Sequence, residues 1–248
     1  MNRELEDKYL GRIAELHERV VPLLKSLSAE TDPTIISEAL PKATWVPLDL
    51  SVDNPSVCAE GVKNPLEFHD FIFNQIAQMN AQVGYGGVFE NRGWYQRSDV
   101  FGCGEDVRNL HIGLDLWCKS DVSVVCPIDG VIHSFQNNDN FLDYGPTIIL
   151  EHRVEELAFY SLYGHLSIDS LAGKKIGQQV YKGQEFGRIG SPPGNGGWPP
   201  HLHFQLMLDL LGKIGDFPGV CSPSNRTLYE LLCPSPLLLL MGSDKACM

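Results

Sequence analysis

The sequence has no C-x-x-C pair, no H-E-x-x-H motif and no long apolar run. Its longest uninterrupted apolar stretch, Leu237 to Met241, is far too short to span a bilayer. Residues 1–8 are mostly charged and lack the apolar core of a secretory signal, so a cytoplasmic protein is expected. The seven cysteines (58, 103, 118, 126, 221, 233 and 247) are odd in number and scattered, which indicates neither a disulfide framework nor a cysteine zinc site. They read as reduced thiols, mostly buried. Basic side chains are also scarce, 19 against 31 acidic ones, and the net charge of −12 argues against nucleic acid or an anionic membrane as the main partner.

What remains is the composition of a globular protein: 248 residues, 43% hydrophobic and 20% charged, enough to bury a core. Residues 3–27 carry Leu5, Leu10, Ile13, Leu16, Val20, Leu23, Leu24 and Leu27 at helical spacing, with Pro22 as a candidate kink. That apolar stripe must pack on the rest of the chain or on a second copy, as a homodimer. Prolines at 33, 41, 47, 55 and 65 break up the stretch from Ala29 to Pro65, which reads as an extended surface strap. A second helix follows, capped by Asn64 and started by Pro65, with Phe68, Phe71, Ile72, Ile76 and Met79 on its apolar face and the glycines at 84, 86 and 87 ending it.

After Leu110 the texture changes to short alternating runs of β-branched and aromatic residues, punctuated by glycine, proline and aspartate. Expected strands include 123–125, 130–133, 147–151, 159–163, 185–189 and 201–206, and helical signal is nearly absent. The expected fold is mainly β with an α-helical N-terminal extension. The divisions fall at 1–100 for the helical and extended region, 101–241 for the β-domain and 242–248 for a C-terminal tail.

Three short motifs could meet at a metal. In His111-Ile112-Gly113-Leu114-Asp115-Leu116 the period of two puts the imidazole and the carboxylate on one face, but four extended residues separate their backbones by about 13 Å. Convergence on ligand distances of about 2 Å therefore needs a bend, and Gly113 is the natural place. In His201-Leu202-His203-Phe204 both imidazoles share a face: both could bind one ion, or one could bind while its neighbour hydrogen-bonds the water. Spacing does not say which. Tyr163-Gly164-His165-Leu166 ends another apolar strand. His17, His69, His133 and His152 lack such partners and read as surface or core residues. Three nitrogen or oxygen ligands on zinc leave a fourth tetrahedral position for water, whose pKa falls towards about 7, and two histidines remain for proton transfer and oxyanion stabilisation.

In the order H-I-G-L-D, Y-G-H-L, H-L-H-F, the chain resembles the lysostaphin-type zinc endopeptidases, a family that includes bacterial cell-wall hydrolases. The match covers roughly residues 108–208 and takes in Val125-Cys126-Pro127-Ile128-Asp129-Gly130-Val131-Ile132 and Gly177-Gln178-Gln179-Val180-Tyr181-Lys182-Gly183-Gln184. The resemblance implies a small antiparallel β-domain, similar to a barrel-sandwich hybrid, with a groove over one zinc per chain. It places the ligands at His111, Asp115 and His203 and the catalytic histidines at His165 and His201; Tyr163, Asn195 and Trp198 are candidates for lining the groove.

The implied reaction is cleavage of an amide bond in glycine- or alanine-containing or peptidoglycan-type peptides. The stiff loop Ser191-Pro192-Pro193-Gly194-Asn195-Gly196-Gly197-Trp198-Pro199-Pro200, together with Asp143-Tyr144-Gly145-Pro146 and Asp216-Phe217-Pro218-Gly219-Val220, is similar to a branch of the family found beside class III aminotransferases in multidomain proteins. In some members an N-terminal segment lies across the groove and donates a side chain to the fourth zinc position, and here residues 90–97 are expected to border or partly cover the groove. The alternatives are a non-catalytic lysostaphin-like binding or regulatory module that keeps the metal, and a lipoyl- or biotinyl-type carrier domain. For the carrier, Lys174 and Lys175 lie near a turn but in no recognisable attachment motif, and it leaves the histidines unexplained.

Overall fold

The computed structural model describes residues 3–57, 64–97, 102 and 107–243. The expected boundary near residue 100 and nearly all of the tail lie outside the described residues.

Helix α1 (Arg3–Thr31) runs through Pro22, and Ile13, Val20 and Leu24 on its apolar stripe are fully buried. It packs on two short C-terminal helices, α3 (Arg226–Leu232) and α4 (Pro236–Met241). The stripe is thus covered within one chain, and packing gives no support to a homodimer through this face. Nor was helix expected near the C-terminus: the apolar run 237–240 forms α4, apolar all round and wholly buried, started by Ser235, which accepts from Leu237 N–H, and ended by left-handed Gly242. No helix among the described residues is long and apolar enough to cross a membrane.

Helix α2 (Pro65–Gln78) begins as the sequence predicts: the Asn64 side chain accepts from Leu66 and Glu67 N–H, and Pro65 fills the first turn. Phe68, Ile72 and Ile76 are buried, whereas Met79, just past the end, is exposed. Before α2 the chain departs from the expected surface strap. Ile35 and Ile36 are fully buried, and β1 (Trp45–Pro47) pairs in parallel with β2 (Val83–Gly86). The glycines of β2 end no helix. A Cβ on Gly84 would collide with the Leu48 side chain, and one on Gly86 would sit 2.6 Å from the Leu48 carbonyl oxygen, so the pair can approach only because both residues are glycine.

The main sheet has eight strands in the order β1-β2-β5-β12-β9-β8-β7-β10. Its other strands are β5 (Leu114–Trp117), β7 (Gly130–Asn138), β8 (Gly145–Val154), β9 (Leu157–Gly164), β10 (Gln179–Val180) and β12 (His201–Met207). Every pair but β1 with β2 is antiparallel. A three-stranded sheet sets β4 (Leu110–His111) between β3 (Glu90–Asn91) and β13 (Val220–Cys221), and β6 (Ser123–Val125) pairs with β11 (Glu185–Arg188). The fold is mainly β with an N-terminal helix, and strands from before residue 100 are part of its main sheet. Cys118, Cys126, Cys221 and Cys233 are buried free thiols.

Candidate metal centre

The first motif bends where the sequence requires it. His111 ends β4 in the small sheet, Asp115 lies in β5 of the large one, and residues 112–113 carry the chain from one to the other. Gly113 has a second reason to be glycine: a Cβ there would lie 2.5 Å from Cε1 and Nε2 of His203. On β12 the alternation holds. His201, His203 and Gln205 share a face, and the register sets His203 opposite Asp115 and His201 opposite Trp117, whose ring stacks on the imidazole at 3.9 Å between centroids. His165 follows the last residue of β9 in a left-handed conformation (φ 60°), a backbone cost of about 1–3 kcal/mol that turns it off the sheet and into the cavity.

His111, Asp115 and His203 come together. His111 Nε2 lies 3.0 Å from His203 Nδ1 and 3.3 Å from Asp115 Oδ1, and His203 Nδ1 lies 3.2 Å from the same oxygen. Bonds of about 2.0–2.1 Å to a tetrahedral ion would space ligands about 3.3–3.4 Å apart, so the triangle fits zinc. Proton placement fits as well. His111 Nδ1 donates to the Gly87 carbonyl at 2.7 Å, which leaves Nε2 with its lone pair. His203 Nε2 faces Gln205 Oε1 at 3.0 Å, and the orientation of that amide is set by its Nε2, which donates to the Pro218 carbonyl at 3.1 Å. His203 therefore donates through Nε2 and offers the lone pair of Nδ1. Two lone pairs and a carboxylate oxygen face one another with no proton among them, an arrangement that a cation stabilises.

Electrostatics point the same way. Burial, then the Arg92 charge, lowers the His111 pKa to about 4, so the imidazole is neutral as a ligand must be. Burial pushes the Asp115 carboxyl up, but His111 and Arg92 outweigh it and hold the group well below the usual carboxylate range.

His165 and His201 lie beside this triangle with ring centroids 4.2 Å apart. His165 Nδ1 donates to the Asn195 carbonyl at 2.9 Å and His201 Nδ1 to the Pro199 carbonyl at 2.7 Å, so each Nε2 is an acceptor. That of His201 is 3.8 Å from Asp115 Oδ1. Burial keeps both neutral, lowering His201 to about 4 and His165 well below its ordinary value.

The groove residues divide. Trp198 lines the cavity together with Tyr95, Trp117 and Tyr144. Tyr163 does not: it is fully buried against Phe186 and Phe204, and its hydroxyl accepts from Ser161. Period two would put Tyr163 on the face of His165, but the turn at residues 164–165 breaks the period. Asn195 is also fully buried, and it serves from behind the cavity, its carbonyl holding His165 and its Nδ2 donating to the Trp198 carbonyl at 2.9 Å. Of residues 90–97, Arg92 and Tyr95 line the cavity, so the segment borders the site as expected. Reading the motifs missed Gln205, although H-x-H-x-Q on one strand face was visible, and missed the individual role of Arg92.

Two donor nitrogens and one carboxylate at tetrahedral spacing, with two neutral imidazoles alongside, form a candidate metal centre. Residues 109–212 match the profile of peptidase family M23. The catalytic domain of the antimicrobial peptidase lysostaphin from Staphylococcus simulans aligns at 25% identity over 48% of this chain and 79% of its own, with a TM-score of 0.34. LytU aligns at 20% over 60% and 90% with a TM-score of 0.34. A variant of the catalytic domain of the prophage-encoded M23 protein EnpA from Enterococcus faecalis aligns at 22% over 50% and 81% with a TM-score of 0.33. No curated protein sequence matches the chain.

Proposed function

We propose that the chain is a zinc-dependent hydrolase that cleaves an amide bond in peptides of the glycine- or alanine-containing or peptidoglycan type. The observation that carries this reading is the convergence of a three-ligand triangle and two proton-accepting Nε2 atoms in one cavity. His111, Asp115 and His203 would hold one zinc, which when bound supplies a Lewis acid that makes a water acidic near neutral pH.

The rest of the chemistry belongs to the chain. Nε2 of His201, nearest the triangle, takes the proton of the attacking water, and its Nδ1–H stays fixed on Pro199. That proton then passes from His201 to the departing nitrogen, while His165, one ring away, presents a second Nε2 lone pair beside it. Trp117 and Trp198 contact these rings and narrow the space beside the scissile bond, which suits small side chains. A non-catalytic binding module would have no use for two imidazoles fixed as acceptors.

Metal analysis and turnover test the reading together. Purified protein should carry about one zinc per chain, and Asp115→Ala should lose most of it. His201→Ala should keep zinc while turnover of glycine-rich peptides or purified cell wall falls by about 10²–10⁴. Unchanged turnover in His201→Ala would remove its general-base role, and zinc without any turnover in the parent protein would favour the binding module.

A further inference from the structure

Two of the three ligands are held from behind by a short segment that precedes residues 109–212. The Gly87 carbonyl fixes His111, as described, and Arg92 fixes Asp115. Its Nη1 donates to Asp115 Oδ2 at 2.6 Å and to the Tyr95 hydroxyl at 3.2 Å, while its Nε donates to Glu90 Oε2 at 2.7 Å. Arg92 is only 5% exposed, so these are desolvated contacts. The segment is anchored in turn: Glu90 is in register with His111, Glu90 Oε1 accepts from Leu50 N–H at 2.9 Å, and Arg92 N–H donates to the Asn109 carbonyl at 2.8 Å. Gly87 (φ 102°) makes room, because a Cβ there would collide with Nη2 of Arg92.

We propose that Arg92 is a positioning residue of the metal centre, its guanidinium fork pinning Asp115 Oδ2 so that the carboxylate presents Oδ1 alone to the ion. The proposal rests on the zinc reading above. A free carboxylate can bind a cation through one oxygen or through both, and occupying Oδ2 with a short charge-assisted hydrogen bond removes the second mode. The tetrahedron then keeps its open position. Lysine cannot replace the fork, since a single ammonium has no fixed plane with which to hold Glu90, Asp115 and Tyr95 at once. Glu90 balances the buried charge, so the unit is Glu90, Arg92 and Asp115 rather than one ion pair.

The test reads the metal instead of turnover. Zinc affinity and the visible spectrum of Co²⁺-substituted full-length protein are compared among the parent, Arg92→Lys and the charge-balanced double variant E90Q/R92M. Four-coordinate Co²⁺ absorbs much more strongly than five-coordinate Co²⁺, so the spectrum reports whether Asp115 has become bidentate. The double variant should bind zinc about 10-fold or more weakly, with reduced Co²⁺ absorption, and Arg92→Lys should resemble it although it keeps the charge. A folded double variant with affinity within about twofold and an unchanged spectrum would overturn the proposal. If the variants do not fold, a crystal structure of the zinc-loaded parent decides: Oδ1 alone on the ion with Oδ2 on Arg92 supports it, and both oxygens on the ion refute it. A parent protein that binds no zinc would instead sink the reading of the site itself.

Discussion

His152 takes no part in the metal centre, yet burial acts on it as on the site histidines. The ring is fully buried, Nδ1 donates to the Asp129 carbonyl at 3.0 Å, and Nε2 lies 2.6 Å from Ser161 Oγ. Burial lowers its pKa to about 4 against an ordinary 6.5. From pH 6.5 down to about 4 the unfolded chain therefore binds a proton that the folded chain refuses. Stability is fully present above 6.5, falls across that window and levels off below it, and this one residue accounts for up to about 3 kcal/mol of the loss. His111, His165 and His201 titrate in the same direction, so the informative quantity is a difference. In denaturant titrations from pH 7 to pH 4, His152→Gln should lose stability less steeply than the parent. Parallel pH profiles would mean that His152 is not held neutral by the fold.

At the scale of elements, legibility followed the range of the interactions. The strands β5 and β12 were readable because alternation is local and each has one polar face, and the bend at Gly113 followed from the reach of two ligands along one strand. Helix α2 was readable from its cap and first-turn proline. Strand β2 was not, because Val83-Gly84-Tyr85-Gly86 carries a turn signal in its glycines, whose real cause lies in Leu48, distant in sequence. Helices α3 and α4, seven and six residues long, are too short to show a helical period, and α4 is apolar on every side because it is buried on every side. The roles of Tyr163 and Asn195 were misjudged because neighbours of a site residue in sequence need not face its cavity. Gly86→Ala tests the close approach: with a Cβ 2.6 Å from a backbone oxygen that has little freedom to move, the β1–β2 pair should open at a cost of about 1–3 kcal/mol. Thermal unfolding measures that cost, and a midpoint equal to the parent's would show that the two strands have slack.

Over the whole molecule, the M23-matching stretch is recognisable by itself but does not stand by itself in the structure. One edge of β5 is covered by β2, with Gly86 opposite Asp115 of the candidate metal centre and Gly84 opposite Trp117. The aromatic layer beneath the site joins Trp117 and Trp198 to Phe68 and Tyr95 from the N-terminal half, with Trp94 stacked on Phe68 at 4.5 Å. Helix α1 covers α3 and α4, and residues 87–92 hydrogen-bond His111 and Asp115. Removing everything before residue 107 would leave a strand edge unpaired beside Asp115, an apolar C-terminal helix in water, and His111 and Asp115 without their hydrogen-bond partners. The fragment 107–243 should therefore aggregate or unfold without cooperativity, and should not bind zinc one to one, as judged by circular dichroism melts and metal analysis beside the full chain. Recovery of one tightly bound zinc and a cooperative melt in the fragment would mean that the first hundred residues only decorate a self-sufficient domain. The pairing of β2 with β5 and the buried contact of Arg92 with Asp115 argue for the opposite, a site that the N-terminal region helps to build.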